Sequence, residues 1–276
     1  MIQSSNEFIK NPIYLSFTGL SDFLKCPRSY YLKNLYKDSK RGFKLQIITP
    51  HLTLGSTVHD SIKWFLENKS NASRDELEAK FRNFWLKYQG RRGGFETRQE
   101  EASFGQRGIK MLNNFWQNAK ILESSAKEIT FPKFNLVENV ILIGNFDFVG
   151  EFKGGTLHII DFKTGAKDEE STLQLYIYAI LAEANFKKRV SKASFWYLDR
   201  DDSPREIVLD PLKVQLDWLV EKAKEVKKAL EKQEWVCVKG EELCRDCRDY
   251  QAILEGKGEW LFSDFRYKKE IYYLQK

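Results

Sequence analysis

"LHIIDFKTG", residues 157–165, is the stretch on which the reading of this chain turns. An apolar run ends in Asp161, Phe162 and Lys163 and breaks at Gly165. Side chains alternate along a strand, so Asp161 and Lys163 share one face while Ile160 and Phe162 anchor the other. A carboxylate and an ammonium at a strand end are either a solvated ion pair at an edge or half of a catalytic site. Taken singly, the two readings weigh equally.

The segment before it follows the same logic. "NVILIGNFDFVGEF", residues 139–152, reads as one strand in which Phe146 and Phe148 point away from Asp147. With a turn at Lys153, Gly154 and Gly155, Asp147 falls across from Asp161. Two carboxylates on neighbouring strands repel unless a cation neutralises them, and Mg²⁺ or Mn²⁺ does so through oxygen ligands. Lys163 beside them would hold an attacking water or stabilise a pentavalent phosphorane, and a bound cation lowers the pKa of its water. The chemistry is metal-assisted phosphodiester hydrolysis. A helix predicted over residues 171–186 carries Gln174 and Tyr178 at i and i+4, hence on one face. That face can look into the same cleft; an ordinary core helix is the alternative. His59, on a helix predicted over residues 56–68, would add an imidazole ligand, although a lone helical histidine is more often structural.

Outward from this centre the pattern is helices, then strands, then helix, strands and helix. Residues 16–36 have helical spacing, with Ser16 or Thr18 as cap and a break at Pro27 that leaves Cys26 at a junction. Two amphipathic helices are predicted over residues 72–89 and 100–123, joined by the basic, Gly-rich "GRRGGFETR". Strands are predicted over residues 127–134, 139–152, 156–163, 192–199 and 205–210, and a long helix over 211–233. The tail from Trp235 reads as irregular. This order suggests an α/β core with a helical insertion.

The chain has 276 residues, 42% of them apolar and 30% charged, which describes a globular rather than a disordered chain. A net charge of +6 suits a nucleic-acid partner but is shared by many proteins without one. The longest apolar-rich run, "LYIYAILA", is far short of a membrane span, so no membrane partner is expected. The first residues lack a basic segment followed by an apolar core, so no signal peptide is expected and the location is expected to be cytoplasmic. In that reducing compartment the four cysteines, Cys26, Cys237, Cys244 and Cys247, argue for metal binding rather than disulfides.

Taken together, "GSTVH" (55–59), "GNFD" (144–147), "DFK" (161–163) and "QLYIY" (174–178), in that order, resemble the successive motifs of the RecB-like and Cas4-like branch of the PD-(D/E)XK nucleases. The opening "TGLSDFLKCPRSYYLKNL" is similar to that branch as well. The resemblance runs roughly from Ser16 to Cys247. It implies a restriction-endonuclease-like core, a mixed central sheet flanked by helices, in a single nuclease domain over residues 1–276. Within it, residues 56–125 would be the helical insertion and 126–210 the catalytic sheet and helix. Residues 235–255 would form a Cys-containing tail packed against the N-terminal helix. His59, Asp147 and Asp161 would bind Mg²⁺ or Mn²⁺, with the Phe162 carbonyl as a further ligand. Lys163 would be the catalytic lysine, and Gln174 and Tyr178 would contact DNA or support the site. Glu128 matches a position where relatives often carry a Glu, and is as easily structural.

Relatives often bind a [4Fe–4S] cluster through one N-terminal and three C-terminal cysteines. Cys26 matches the first, and Cys244 and Cys247 a C-terminal pair. The usual last cysteine would fall near Ile253 and is absent, leaving Cys237 as the replacement. A [4Fe–4S] cluster is the leading expectation, with zinc or no metal as alternatives. The expected activity is a divalent-metal-dependent deoxyribonuclease, an exonuclease on single-stranded DNA or DNA ends, in repair, recombination or processing. The basic loop and the aromatic-rich helices would form a strand-guiding groove, unless that loop is a plain surface turn. The alternatives are a Cas4-type nuclease of CRISPR adaptation and a non-catalytic DNA-binding subunit of the same fold.

Overall fold

The structure is a computed structural model that describes residues 12–68, 72–122, 124–125, 131–169 and 171–275. In chain order its elements begin with β1 (Ile13–Leu15), α1 (Phe17–Lys25), α2 (Pro27–Tyr30) running into a π turn, and β2 (Lys44–Ile47). There follow α3 (Pro50–Glu67), α4 (Arg74–Trp85), α5 (Arg98–Asn118), β3 (Ser124–Ser125), β4 (Lys133–Val137), β5 (Val140–Ile143), β6 (Phe148–Glu151) and β7 (Leu157–Lys163). The remainder is α6 (Leu173–Phe186), β8 (Val190–Tyr197), β9 (Arg205–Ile207), α7 (Leu212–Lys232), α8 (Arg245–Leu254), β10 (Glu259–Asp264) and β11 (Lys269–Tyr273).

β7 lies in the middle of a mixed five-stranded sheet of order β3-β6-β7-β8-β9. It pairs antiparallel with β6 and parallel with β8, to which α6 connects it. Every residue from Leu157 to Phe162 is buried, as a strand covered on both faces requires. Its alternation sorts side chains between two cores. Leu157 and Ile159 join Ala193, Phe195 and Tyr197 of β8 against α6, α7 and α1. Ile160 and Phe162 join Trp196, Leu198 and the α3, α4 and α5 helices. Phe162, Phe115 and Trp196 form an aromatic trio with centroids 5.5 to 5.8 Å apart. The mixed sheet with helices on both sides is the restriction-endonuclease-like architecture expected from the motifs.

Several boundaries differ from the sequence reading. The stretch 139–152 is two strands, not one: β5 pairs with β1 and β4, whereas β6 pairs with β7 and β3 in another sheet. The chain bends at 144–147, where Gly144 lies against α6; a Cβ there would stand 2.9 Å from Leu181 Cδ1. Of the strand expected over 127–134, the described part is β4, which runs on to Val137 and pairs antiparallel with β5. Helix α3 begins at Pro50, six residues before the expected start, because Thr49 accepts a hydrogen bond from the Leu52 N–H and Pro50 suits the first turn. Gly55 therefore lies inside the helix, where a Cβ would come within 3.3 Å of Thr164 Oγ1. α4 starts at Arg74, two residues after the expected start, behind a Ser73–Glu76 capping box. The tail is ordered, not irregular. It holds α8 and the β10–β11 hairpin, and β11 pairs parallel with β2, a strand that carries no local signal.

Among the described residues no helix is long and apolar enough to cross a membrane.

Candidate active site

In the β6–β7 register Phe148 faces Ile160, so one further step sets Asp147 opposite Asp161. The bend at 144–147 turns Asp147 onto the end of β7, where its Oδ2 accepts the Phe162 backbone N–H at 2.9 Å. Its Oδ1 lies 3.1 Å from His59 Nδ1. His59 arrives on α3, which approaches the end of β7 closely at Gly55. Burial alone would lower the His59 pKa, but the Asp147 carboxylate outweighs it and raises it to about 9. In the metal-free state His59 is thus an imidazolium paired with Asp147. Coordinating a metal would require it to release that proton.

Asp161 is 3% exposed at its side chain. Its Oδ1 accepts a hydrogen bond from Gln174 Nε2 at 2.8 Å. Its Oδ2 stands 2.8 Å from Lys163 Nζ in a charge-assisted pair. Burial, reinforced by the Asp147 carboxylate, pushes the Asp161 pKa up to about 7 against the opposing pull of Lys163. Lys163 is held by three groups: Asp161, Gln174 Oε1 at 2.7 Å and Glu169 Oε1 at 3.3 Å. Burial alone would lower its pKa, but Asp161 and Glu169 raise it above the ordinary lysine value. It is an ammonium, suited to meeting negative charge rather than to taking a proton. The Gln174 amide also donates to the Tyr178 hydroxyl at 3.1 Å. Burial, with Asp161 and Asp147 adding to it, raises the Tyr178 pKa and keeps the phenol protonated.

Two further residues support this site, and sequence reasoning missed both. Glu169 lies in the loop after β7 and shares Lys163 with Asp161; its backbone N–H donates to the Tyr197 hydroxyl at 2.9 Å. Arg107 of α5 donates to the Thr164 carbonyl at 2.9 Å and to Asp199 Oδ2 at 2.8 Å, fastening the loops that follow β7 and β8. Neither has a motif, since both reach the site only through the tertiary fold.

The donor set suits a hard divalent cation. Asp161 supplies a buried carboxylate, Asp147 a second one from the bend before β6, and His59 an imidazole from α3. Each is held by a protein partner: His59 Nδ1 by Asp147 Oδ1, Asp147 Oδ2 by the Phe162 N–H, and Asp161 Oδ1 by Gln174 Nε2. Glu128 lies outside the described residues.

The four cysteines converge. Cys26 sits at the junction of α1 and α2, before Pro27; Cys244 caps α8 and Cys247 lies in its first turn. All four sulfur atoms lie within 4.8 Å of one another. Cys26, Cys237 and Cys247 are buried, in an apolar cluster with Leu32, Leu45, Tyr250 and Ile253. Burial would raise the Cys237 pKa, but backbone N–H groups of Lys239 and Cys244 outweigh it and lower it to about 7. The tail thus packs against the N-terminal helices, as expected.

The basic loop packs through Gly93, Gly94 and Phe95, while Arg91, Arg92 and Arg98 stay exposed. Arg91 pairs with Glu259 at 2.9 Å and lies over Tyr273, and Arg92 lies over the Phe262 ring at 4.2 Å. Thr53 Oγ1 donates to the Gly93 carbonyl, and Phe95 is buried. Gly94 has φ +81°, and a Cβ there would stand 2.7 Å from Thr49 Cα.

A model of the PD-(D/E)XK nuclease superfamily matches residues 14–253. No curated protein matches the chain. The crystal structure of a Eubacterium rectale protein described as a "putative exonuclease" is similar, with a TM-score of 0.52 at 14% sequence identity. The match covers 89% of this chain and 90% of that one, and at this identity it shows the fold alone. The family match over residues 14–253, on a sheet that sets Asp147 opposite Asp161 and brings Lys163 beside it, makes this chain a member of the PD-(D/E)XK nuclease superfamily.

Proposed function

We propose that the chain is a Mg²⁺- or Mn²⁺-dependent deoxyribonuclease that hydrolyses phosphodiester bonds, working as an exonuclease on single-stranded DNA or DNA ends. Its place would be DNA repair, recombination or processing. One observation carries the reading: the buried Asp161 carboxylate stands 2.8 Å from a protonated Lys163, with Asp147 bonded to the same strand end through the Phe162 N–H. His59, Asp147 and Asp161 are the residues that would hold the cation, with the Phe162 carbonyl as a further ligand. When bound, the cation supplies Lewis acidity and a water of lowered pKa. Lys163 meets the negative charge that develops on the phosphorane, where a fixed ammonium acts without reorganisation. Gln174 fixes Asp161 and Lys163 relative to each other, and Tyr178 fixes the Gln174 amide. The exonuclease mode is supported by the RecB-like motifs and by the description of the Eubacterium rectale neighbour.

The test uses purified Asp161→Ala and Lys163→Ala variants with Mg²⁺ or Mn²⁺ on linear and circular, single- and double-stranded DNA. Both variants should lose at least about a hundredfold in rate, as expected for loss of a metal ligand or a transition-state charge partner. Unchanged cleavage by both would remove the nuclease assignment. Cutting of circular single strands as fast as linear ones would replace the exonuclease mode by an endonuclease one.

A further inference from the structure

The resemblance to RecB-like nucleases implies a [4Fe–4S] cluster at the four cysteines, and the sulfur spacing disagrees with it. We propose that Cys26, Cys237, Cys244 and Cys247 form a site for one tetrahedral zinc ion.

The first support is size. Cys26 Sγ and Cys247 Sγ are 3.6 Å apart, and all four sulfur atoms lie within 4.8 Å of one another. Four thiolates at about 2.3 Å from a single zinc stand about 3.8 Å apart at tetrahedral angles. In a cubane each thiolate binds a different iron, which separates the sulfur atoms to roughly 6 Å. The site matches the first spacing and falls short of the second.

The walls of the site oppose widening it. Cys26 is fixed between two helices with Pro27 directly behind it, and Cys247 is completely buried in the first turn of α8. Leu32, Leu45 and Tyr250 pack around the sulfur atoms. Ile253, the position where relatives carry their last cysteine, belongs to the same apolar packing and is 6% exposed. A cluster would have to displace these side chains.

The second support is the way the backbone receives the thiolates. Cys237 Sγ accepts the Cys244 N–H at 3.1 Å. The turn after Cys237 closes through the Gly240 N–H donating to the Cys237 carbonyl at 2.9 Å, with Gly240 at φ +58°. An amide donated to a sulfur stabilises its deprotonated, ligating form and orients it. The spacing Cys237-x6-Cys244-x2-Cys247 sets three thiols on this turn and the start of α8, and Cys26 completes a fourfold set.

The test is metal analysis of the full chain, expressed with iron and zinc both supplied and purified without chelator under anaerobic conditions. The expected result is a colourless protein with about one zinc per chain and no acid-labile sulfide, as a closed Cys₄ site holds. Replacement by Co²⁺ should give the intense visible bands of tetrahedral thiolate-bound cobalt. Cys237→Ser should lower the zinc content at least fivefold, whereas Asp161→Ala should keep it, which separates this site from the catalytic one. If the Cys237 variant does not fold, the cobalt spectrum of the unaltered chain decides. A brown protein with iron and sulfide in equal amounts would overturn the proposal. So would a metal-free protein with four titratable thiols, or zinc lost from the Asp161 variant instead of the Cys237 one.

Discussion

Lys163 Nζ stands 2.8 Å from Asp161 Oδ2, on a carboxylate that is 3% exposed. The pair is held together by charge and by the Gln174 amide, which bonds both partners. Burial pushes the Asp161 pKa up to about 7, so above that pH the ionised carboxylate weighs against the fold even with Lys163 beside it. Asp161→Asn should therefore abolish cleavage while the metal-free protein loses no stability. In chelator at pH 8, where the parent carries the buried carboxylate in its disfavoured ionised form, the variant should be equal to the parent or more stable by roughly 1 kcal/mol. Paired melting and nuclease assays check this; a melt several degrees lower would show that the carboxylate is structural.

Gln174 positions other groups and is not itself placed at the reacting atoms. Gln174→Ala leaves Asp161 and Lys163 present but unbridged. The rate constant should fall about 10- to 100-fold, the scale of lost alignment, with KM for DNA changed less than threefold. Gln174→Glu should do worse than alanine, since it adds a third carboxylate beside Asp161 and Glu169. Steady-state kinetics on a short labelled strand would separate the two parameters.

The site makes the metal-free protein sensitive to alkali. Asp161 has a folded pKa raised above its unfolded value, so the neutral form favours the fold and its contribution is lost as pH rises through about 7. His59 is also raised, to about 9; its contribution is complete below its unfolded value and lost as pH rises through 9. Melting temperature in chelator should fall between pH 6 and pH 9. Mn²⁺ should restore more stability at pH 8.5 than at pH 6, because it binds the deprotonated ligands. A flat profile in chelator between pH 6 and pH 9 would contradict the His59 shift, since most of the Asp161 loss falls below pH 6.

Arg107 ties α5 to the loops that follow the catalytic strands. It is about one-fifth exposed, as is its partner Asp199. Arg107→Ala leaves a half-buried carboxylate and the Thr164 carbonyl without their donor and should cost about 2 kcal/mol. Urea unfolding measures it. Arg107→Lys should recover less than half, since one ammonium cannot reproduce the fork that reaches both acceptors.

Arg92 is exposed and lies over the Phe262 ring at 4.2 Å. Arg92→Ala should lower stability by about 1 kcal/mol through the lost cation–π contact. The dependence of DNA affinity on salt should keep its slope, which would drop by about one unit if the guanidinium neutralised a phosphate.

The parts of this fold legible in the sequence are those governed by local period. Alternation in residues 157–163 and a turn centred on Gly154 fix the register that sets Asp147 opposite Asp161. The i, i+4 spacing of Gln174 and Tyr178 likewise appears as a hydrogen bond between them. What the period conceals is the break at 144–147. Apolar alternation continues through it, and the cause of the bend, the close approach of Gly144 to α6, is tertiary. Glu169 and Arg107 were invisible for the same reason. The cysteines were readable as a group because their chemistry limits what four thiols do, but the distance between their sulfur atoms is set by packing.

The parallel pairing of β2 with β11 sets an order of events for a chain that is still being made. Lys44 to Ile47 find their sheet neighbours at Lys269 to Tyr272, more than 220 positions further on. During synthesis the early segment therefore waits with an open strand edge while the central sheet forms. Contacts of such sequence separation are slow to close, and the waiting edge is where a nascent chain is most exposed to wrong partners. A ribosome stalled before residue 269 should carry a nuclease core that is assembled but unlatched, cleavable by protease around residues 37–48 and protected there once β11 emerges.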